Sequence, residues 1–130
     1  MAGDTPATRV FEDEDVVAFL DVRPLFPGHV LVVPKEHVET LTDLPAAGIG
    51  PLFERVQALA GAMETGLGAQ GSFVAMNNRV SQSVPHPHVH VVPRTKGDGL
   101  RGFFWPRQRY GSDEEATAVA ERLRSALPSP

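Results

Sequence analysis

The sequence predicts an α+β fold: a mostly antiparallel five-stranded sheet with one main helix and a C-terminal helix. The five predicted strands are short β-rich or apolar runs, and they occupy 8–11, 16–20, 29–33, 72–77 and 86–92. The first three follow each other closely, and a helical pattern separates them from the last two. Strands that are adjacent in sequence favour antiparallel pairing, whereas each parallel pair needs a long crossover connection.

The main helix is predicted from apolar residues that recur on one helical face. Pro51 suits the first turn of a helix, and Gly66 is a plausible end. The glycines at 48 and 50 make the stretch from Asp43 onward irregular or weakly helical. The periodic positions are Leu52, Phe53, Val56, Leu59, Ala60 and Met63.

We expect one domain over 1–130, with a core at about 3–98 and a distinct C-terminal region at 99–130. In that region, arginines alternate with aromatic residues over 101–110. These residues can hold a nucleotide, or they can pack against the rest of the domain or a second subunit. Ser112 followed by Glu115 forms a capping box and predicts a helix that reaches about 127.

Composition narrows the classes of partner and compartment. The chain has no cysteine, which excludes disulfides and thiolate catalysis, and its net charge of −4 makes a nucleic-acid partner unlikely on electrostatic grounds. The N-terminal residues lack the pattern of a secretory signal, and no apolar run is long enough to cross a membrane. We therefore expect a cytoplasmic protein with a small-molecule ligand.

Three of the five histidines, His86, His88 and His90, stand at every second position. In a strand such residues share one face. They could form a polar face without chemistry, a metal site built from two of them and His29, or a site in which one imidazole is a nucleophile. A single zinc ion shared by all three is difficult, because His86 and His90 would lie about 13 Å apart along a strand. Neutral imidazole is a good nucleophile near pH 7, which favours the third interpretation.

The segment 86–92 resembles the signature of the histidine-triad (HIT) superfamily, in which single, usually apolar residues separate three histidines. The segments 10–21, 27–35 and 82–86 also resemble family segments, in the expected order, so that the likeness covers about 3–98. The segment 93–98 resembles the fragile-histidine-triad-like and bacterial HIT hydrolase branch. The resemblance implies a HIT-like fold and homodimerisation.

The resemblance also implies a role for each site residue. His88 matches the nucleophile that attacks the α-phosphorus of a nucleotide, His90 matches the residue that hydrogen-bonds the α-phosphate, and His86 and His29 match a supporting pair. Of the remaining residues, the phosphate side is matched by Asn77, Gln82 and Ser83, the ribose by Asp21, and the base by Phe19 and Val22, with Phe11 a weaker candidate.

The implied activity is that of a nucleotide-phosphate hydrolase or nucleotidyl transferase, acting on purine nucleotides and above all on dinucleoside polyphosphates. A purine nucleoside phosphoramidase and a non-catalytic nucleotide-binding module are the alternatives. No metal cofactor is required, although Mg²⁺ bound to a polyphosphate substrate is compatible.

Two features depart from the family pattern. Pro87 stands where a residue with a backbone donor is preferred, so we expect it at an edge or beside a loop. The loop 77–82 is two residues shorter than the common form.

Overall fold

A computed structural model describes residues 8–100 and 107–128. In this part of the chain, five strands form one sheet in the order β1-β2-β3-β5-β4, and each neighbouring pair is antiparallel. The predicted α+β class, the antiparallel sheet, the main helix and the C-terminal helix are confirmed. The elements are β1 (Arg9–Glu12), β2 (Val16–Leu20), β3 (Val30–Pro34), a 3-10 turn (Leu41–Asp43), α1 (Ala46–Leu67), β4 (Gly71–Ala75), β5 (Val89–Arg94) and α2 (Asp113–Ala126).

The helix α1 covers one side of the sheet, which we call the helix face. Alternate strand residues point towards it because successive side chains of a strand lie on opposite sides. Leu52, Val56 and Met63 of α1 are buried against this side. The strand residues of the same apolar cluster are Val16, Ala18, Val30, Val32, Val89 and Val91. This cluster fixes the sheet as a rigid base for the opposite side.

The start of α1 differs from the prediction, because the helix begins at Ala46 and contains Pro51. A proline inside a helix cannot bond the carbonyl four residues earlier. Here that carbonyl belongs to Ala47, an exposed residue in the first turn of the helix. A Cβ on Gly48 would lie 3.2 Å from Cδ1 of Leu44, so this glycine allows a close approach rather than breaking the helix.

The end of α1 also differs slightly. The helix continues past Gly66 to Leu67, and Gly68 caps it in the left-handed conformation with φ 71°. Its backbone N–H donates to the carbonyl of Met63. Glycine adopts this conformation without the steric cost of a side chain, so Gly68 rather than Gly66 ends the helix.

The last strand starts later than predicted, at Val89 rather than at 86. Its pairing with β3 begins with Val89 opposite Val32, because Pro87 has no N–H to donate to a ladder. Consequently His86 and His88 lie in the segment that precedes the strand, and His90 alone of the triad belongs to the sheet. Pro87 itself is fully buried.

The chain divides into two compact units, Met1–Asp98 and Gly99–Pro130. In the second unit, Ser112 Oγ accepts from the N–H of Glu115 at 3.1 Å, while the Glu115 carboxylate accepts from the N–H of Gly111 at 2.8 Å. The predicted N-terminal cap of the last helix is therefore present, with its reciprocal bond shifted by one residue. The aromatic residues at 103–105 lie outside the described residues. Neither α1 nor α2 has both the length and the apolar character needed to cross a bilayer.

Candidate active site

His90 occupies the side of the sheet opposite α1, which we call the histidine face. Its strand neighbours Val89 and Val91 pack under α1, so strand alternation directs the His90 ring to the other side. Across the ladder, His90 pairs with Leu31 of β3, and Leu31 pairs with Phe19 of β2. Neighbouring strands lie about 4.8 Å apart, which places Phe19 about 10 Å from His90 in this row.

His29 is buried directly before β3 and orients His90. Its Nδ1 accepts the backbone N–H of Leu25 at 3.1 Å, and its Nε2 lies 2.9 Å from Nδ1 of His90. Because an N–H only donates, His29 must keep the proton of its neutral ring on Nε2. His29 therefore donates to His90 Nδ1, and neutral His90 carries its own proton on Nε2.

The other two triad histidines are oriented by backbone carbonyls. Nδ1 of His88 lies 2.9 Å from the carbonyl oxygen of His86, and Nε2 of His86 lies 2.7 Å from the carbonyl oxygen of Pro34. A carbonyl only accepts, so the neutral His88 ring has its proton on Nδ1 and a lone pair on Nε2. The rings of His88 and His90 stand edge to face, with centroids 5.2 Å apart. In the neutral rings, the bond of His88 to the His86 carbonyl leaves a lone pair on Nε2 of His88, and the bonds of His29 to Leu25 and to His90 leave a proton on Nε2 of His90.

The surroundings keep both inner histidines neutral. Burial lowers the pKa of His29 below its ordinary value of 6.5, and the Asp21 carboxylate partly opposes the shift. Burial also lowers the pKa of His90, with the positive charges that His29 and His88 would carry adding to the effect and Asp21 opposing it. In a neutral ring one nitrogen carries a proton and the other a lone pair, so the tautomer decides which nitrogen donates and which accepts.

Asp21 follows β2 and reaches the same site. Its Oδ1 accepts the N–H of Arg23 at 2.8 Å, and its Oδ2 lies 3.7 Å from Nε2 of His29. The carboxylate is partly exposed, so an acceptor is available at the rim of the histidine face.

Asp21, His29 and His90 could also be considered as metal ligands. Within the described residues their ligand atoms lie within 4.8 Å of one another. However, the N–H of Leu25 occupies the lone pair on Nδ1 of His29, so the proton of the neutral ring lies on Nε2. Nε2 faces the cluster, and a metal would need a lone pair there. The arrangement fits a hydrogen-bonded relay better than a coordination site.

In the loop after β4, Gln82, which was predicted to contact phosphate, forms hydrogen bonds within the protein. The Gln82 side chain accepts the N–H of Arg79 at 2.7 Å and donates to the carbonyl of Glu39. Both ends of this amide therefore contact the protein, while the NH2 group has a second proton, so the contact of Gln82 with phosphate stays a prediction. Ser83 and Asn77 are exposed.

A support that the sequence did not suggest is Asn78, whose Oδ1 accepts the N–H of Leu41 at 2.8 Å. Arg79 and Ser81 adopt left-handed conformations with φ of 68° and 63°. Such conformations cost about 1 kcal/mol or more for non-glycine residues, so the bonds from Asn78 and Gln82 hold a strained loop.

The two phenylalanines suggested for a base pocket lie on opposite sides of the sheet. Phe19 is 8% exposed and shares the histidine face with Leu31. Phe11 pairs with Ala18 on the helix face, and the Arg55 guanidinium lies 4.3 Å from its ring centroid. The prediction that Phe11 forms a wall of the same pocket is therefore wrong, because the bulge in β1 turns its side chain to the helix face.

The sequence did not suggest Leu31 as a residue of the histidine face, although it lies two residues after His29 and so on the same side of the strand. Val22, suggested with Phe19, is 67% exposed and lies beyond the end of β2.

Comparison with known proteins identifies the family of this chain. The sequence profile of the HIT domain matches residues 2–97. The chain is 37% identical to an uncharacterized HIT-like protein of Mycobacterium tuberculosis over 129 residues, which are 98% of this chain and 88% of that protein.

A second relative is the adenosine 5'-monophosphoramidase of Schizosaccharomyces pombe, 34% identical over 96% of this chain and 92% of that protein. The crystal structure of a HIT family member from Bacillus subtilis superposes with a TM-score of 0.86 at 32% identity, covering 98% of this chain and 93% of that one. The chain belongs to the HIT family.

Proposed function

We propose that this protein is a hydrolase that acts at the α-phosphorus of purine nucleotides through a covalent nucleotidyl-histidine at His88. The observation that carries the proposal is the bond from His88 Nδ1 to the carbonyl of His86. It leaves a lone pair on Nε2 of a neutral ring, and no proton has to be removed before attack.

The reaction has two displacements. Nε2 of His88 forms a bond to the α-phosphorus while the bond to the leaving group breaks, and the leaving group departs with that electron pair. The substituted ring becomes cationic, and its Nδ1–H strengthens its bond to the His86 carbonyl oxygen. Water then bonds to phosphorus, the N–P electron pair returns to Nε2, a proton passes to solvent, and a nucleoside monophosphate is released.

His90 supplies the electrostatic part of the proposal. Its Nε2–H is directed by His29 and can donate to a non-bridging oxygen, where negative charge builds up in the transition state. Such a preorganised donor typically contributes about 10²–10³ in rate.

The nucleoside is proposed to lie along the histidine face. A ribose beside Asp21 would meet a carboxylate that can accept from its hydroxyls, and a base could lie against Phe19 and Leu31. The distance of about 10 Å from Phe19 to His90 suits a base and a phosphate joined by a ribose.

Dinucleoside polyphosphates are the proposed substrate class, and nucleoside phosphoramidates are the second candidate. The bis(5'-nucleosyl)-tetraphosphatase of Schizosaccharomyces pombe is 39% identical, but over only 62% of this chain and 46% of that protein. The phosphoramidase of the same organism matches nearly the full length of both chains, and this match is the reason for keeping the second candidate in the test. A homodimer, in keeping with the family likeness, is proposed and is tested by light scattering.

The test is release of AMP from diadenosine tetraphosphate and from adenosine phosphoramidate, each with and without Mg²⁺ or a chelator. We expect turnover of at least one substrate, and phosphoramidate turnover should survive the chelator. His88→Ala should lose at least about a thousandfold in kcat because the nucleophile is removed.

The matched control is His37→Ala, which removes an exposed histidine that lines a small pocket with His86 and has no role in the proposed reaction. It should retain full activity. Comparable activity of His88→Ala and the wild type would overturn the assignment of the nucleophile. Tight AMP binding without turnover of either substrate would instead support a non-catalytic binding module.

A further inference from the structure

The loop between β2 and β3 is connected directly to the ring of His29. Its first bond runs from the N–H of Arg23 to the Asp21 carboxylate, and its last bond runs from the N–H of His29 to the carbonyl of Phe26. Between them, the N–H of Leu25 donates to Nδ1 of His29 at 3.1 Å. One backbone amide of an exposed loop therefore contacts the innermost histidine.

We propose that the backbone N–H of Leu25 is a positioning group for catalysis, because it fixes the tautomers of His29 and His90 and so makes His90 a donor to the α-phosphate. This inference rests on the proposed function for its catalytic consequence. The bonds that carry it are present whatever the substrate.

The Leu25 amide determines which nitrogen carries the proton in each of the two rings. With the Leu25 amide in place, His29 has its proton on Nε2 and donates to Nδ1 of His90 across 2.9 Å. His90 then carries its proton on Nε2. Without the amide, His29 can hold its proton on Nδ1, and its Nε2 becomes an acceptor. His90 would then have to donate from Nδ1, and a lone pair on its Nε2 would face the phosphate oxygens.

The neighbouring charges act in the same direction but less directly. The Asp21 carboxylate lies 3.7 Å from Nε2 of His29, beyond hydrogen-bond distance, and favours a proton on that nitrogen. Burial of His29 and His90 keeps both rings neutral, which is the condition under which a tautomer choice exists. The Leu25 amide is the group that meets Nδ1 of His29 within bonding distance.

The side chain and the amide of Leu25 can be separated by mutation. The side chain is 54% exposed, so Leu25→Ala keeps the N–H and changes little else. Leu25→Pro removes the N–H and requires a φ near −65° at position 25 and an extended conformation of the preceding Pro24. Replacement of the Leu25 amide by an ester, with leucic acid in place of leucine, removes the N–H and keeps the side chain.

The test measures kcat, KM and histidine tautomers together. We expect kcat to fall about tenfold in Leu25→Pro and in the ester, the factor that one neutral hydrogen bond supplies, with KM nearly unchanged and with Leu25→Ala within about twofold of the wild type. Nitrogen-15 NMR of the imidazoles in the wild type should show protons on Nε2 of His29 and of His90.

In the ester variant, the NMR signals of both rings should shift towards the other tautomer. A wild-type His29 with its proton on Nδ1 would overturn the proposal, as would a folded ester variant with unchanged tautomers and kcat. The NMR readout does not depend on turnover. A protein that has the expected tautomers but turns over neither substrate would therefore contradict the proposed function. Of the present proposal, it would contradict the catalytic consequence and leave the effect of Leu25 on the tautomers intact.

Discussion

The helix face and the histidine face are built from alternate residues of the same strands, yet they differ in chemistry. In β5, Val89 and Val91 pack under α1, and His90 between them faces the other way. Among the described residues, the helix face buries a cluster of apolar side chains, whereas the histidine face joins apolar side chains to a relay of hydrogen-bonded imidazoles. A sheet can therefore place stability on one side and reactivity on the other, and changes on the two sides should separate the two properties.

Among the changes that compare the two faces, the largest effect should come from His90→Ala on the histidine face. We expect kcat to fall about 10²–10³-fold, because the donor to the developing charge is lost. The free energy of unfolding should fall by only about 1 kcal/mol, because one hydrogen bond to His29 is lost. Steady-state kinetics and urea unfolding of the same preparation measure both. An unchanged kcat would show that His90 does not act on the phosphate.

The opposite result is expected on the helix face for Leu52→Ala. Leu52 is fully buried, so its truncation should lower the free energy of unfolding by about 3 kcal/mol. The kcat of the folded protein should stay within about twofold of the wild type. Ile49→Ala, on the same helix but 42% exposed, serves as the control and should cost less than about 1 kcal/mol. A large loss of kcat in Leu52→Ala would mean that the faces are not independent.

A sharper comparison uses the two phenylalanines that lie on opposite faces. Phe19→Leu should raise KM for a nucleotide about fivefold, because the base loses an aromatic contact worth about 1 kcal/mol. Phe11→Leu should leave KM unchanged and weaken the contact with Arg55 on the helix face. Equal effects of the two changes on KM would contradict the proposed path of the nucleoside.

The smallest effect concerns the pH dependence of stability. The pKa values of His29 and His90 are lowered, so below pH 6.5 the unfolded chain binds protons that the folded chain does not. The free energy of unfolding should therefore fall as the pH drops from about 6.5 towards the folded pKa values, and then level off.

Urea unfolding between pH 8 and pH 5 measures this dependence. The double change His29→Asn and His90→Asn should flatten it, and His37→Ala should leave it as in the wild type. Glu12 and Asp13, whose pKa values are lowered by Lys35 and by the backbone N–H of Asp15 respectively, should add a fall only at more acidic pH. A flat profile in the wild type would contradict the neutral relay.

Local patterns predicted most of the fold because they depend on neighbours in sequence. The strand at 16–20 and the capping box of α2 were predicted correctly, since each is settled within a few residues. The start of α1 was not, because the glycines at 48 and 50 lower helix propensity, whereas the burial of the apolar face of α1 against the sheet is tertiary and outweighs it. The triad was recognised from its spacing, but the expected strand of three aligned histidines was wrong for His86 and His88.

The sequence by itself determined the α+β class, the antiparallel sheet, the family and the identity of the histidines, because strand alternation, turn residues and motif spacing are local properties. The tertiary structure decided which nitrogen of each ring carries a proton, that Gln82 supports its loop, and that Phe11 and Phe19 lie on opposite faces. The physical reason is that a tautomer depends on a partner in space. The carbonyl of Pro34 and the amide of Leu25 meet their imidazoles only when the sheet and its loops have assembled.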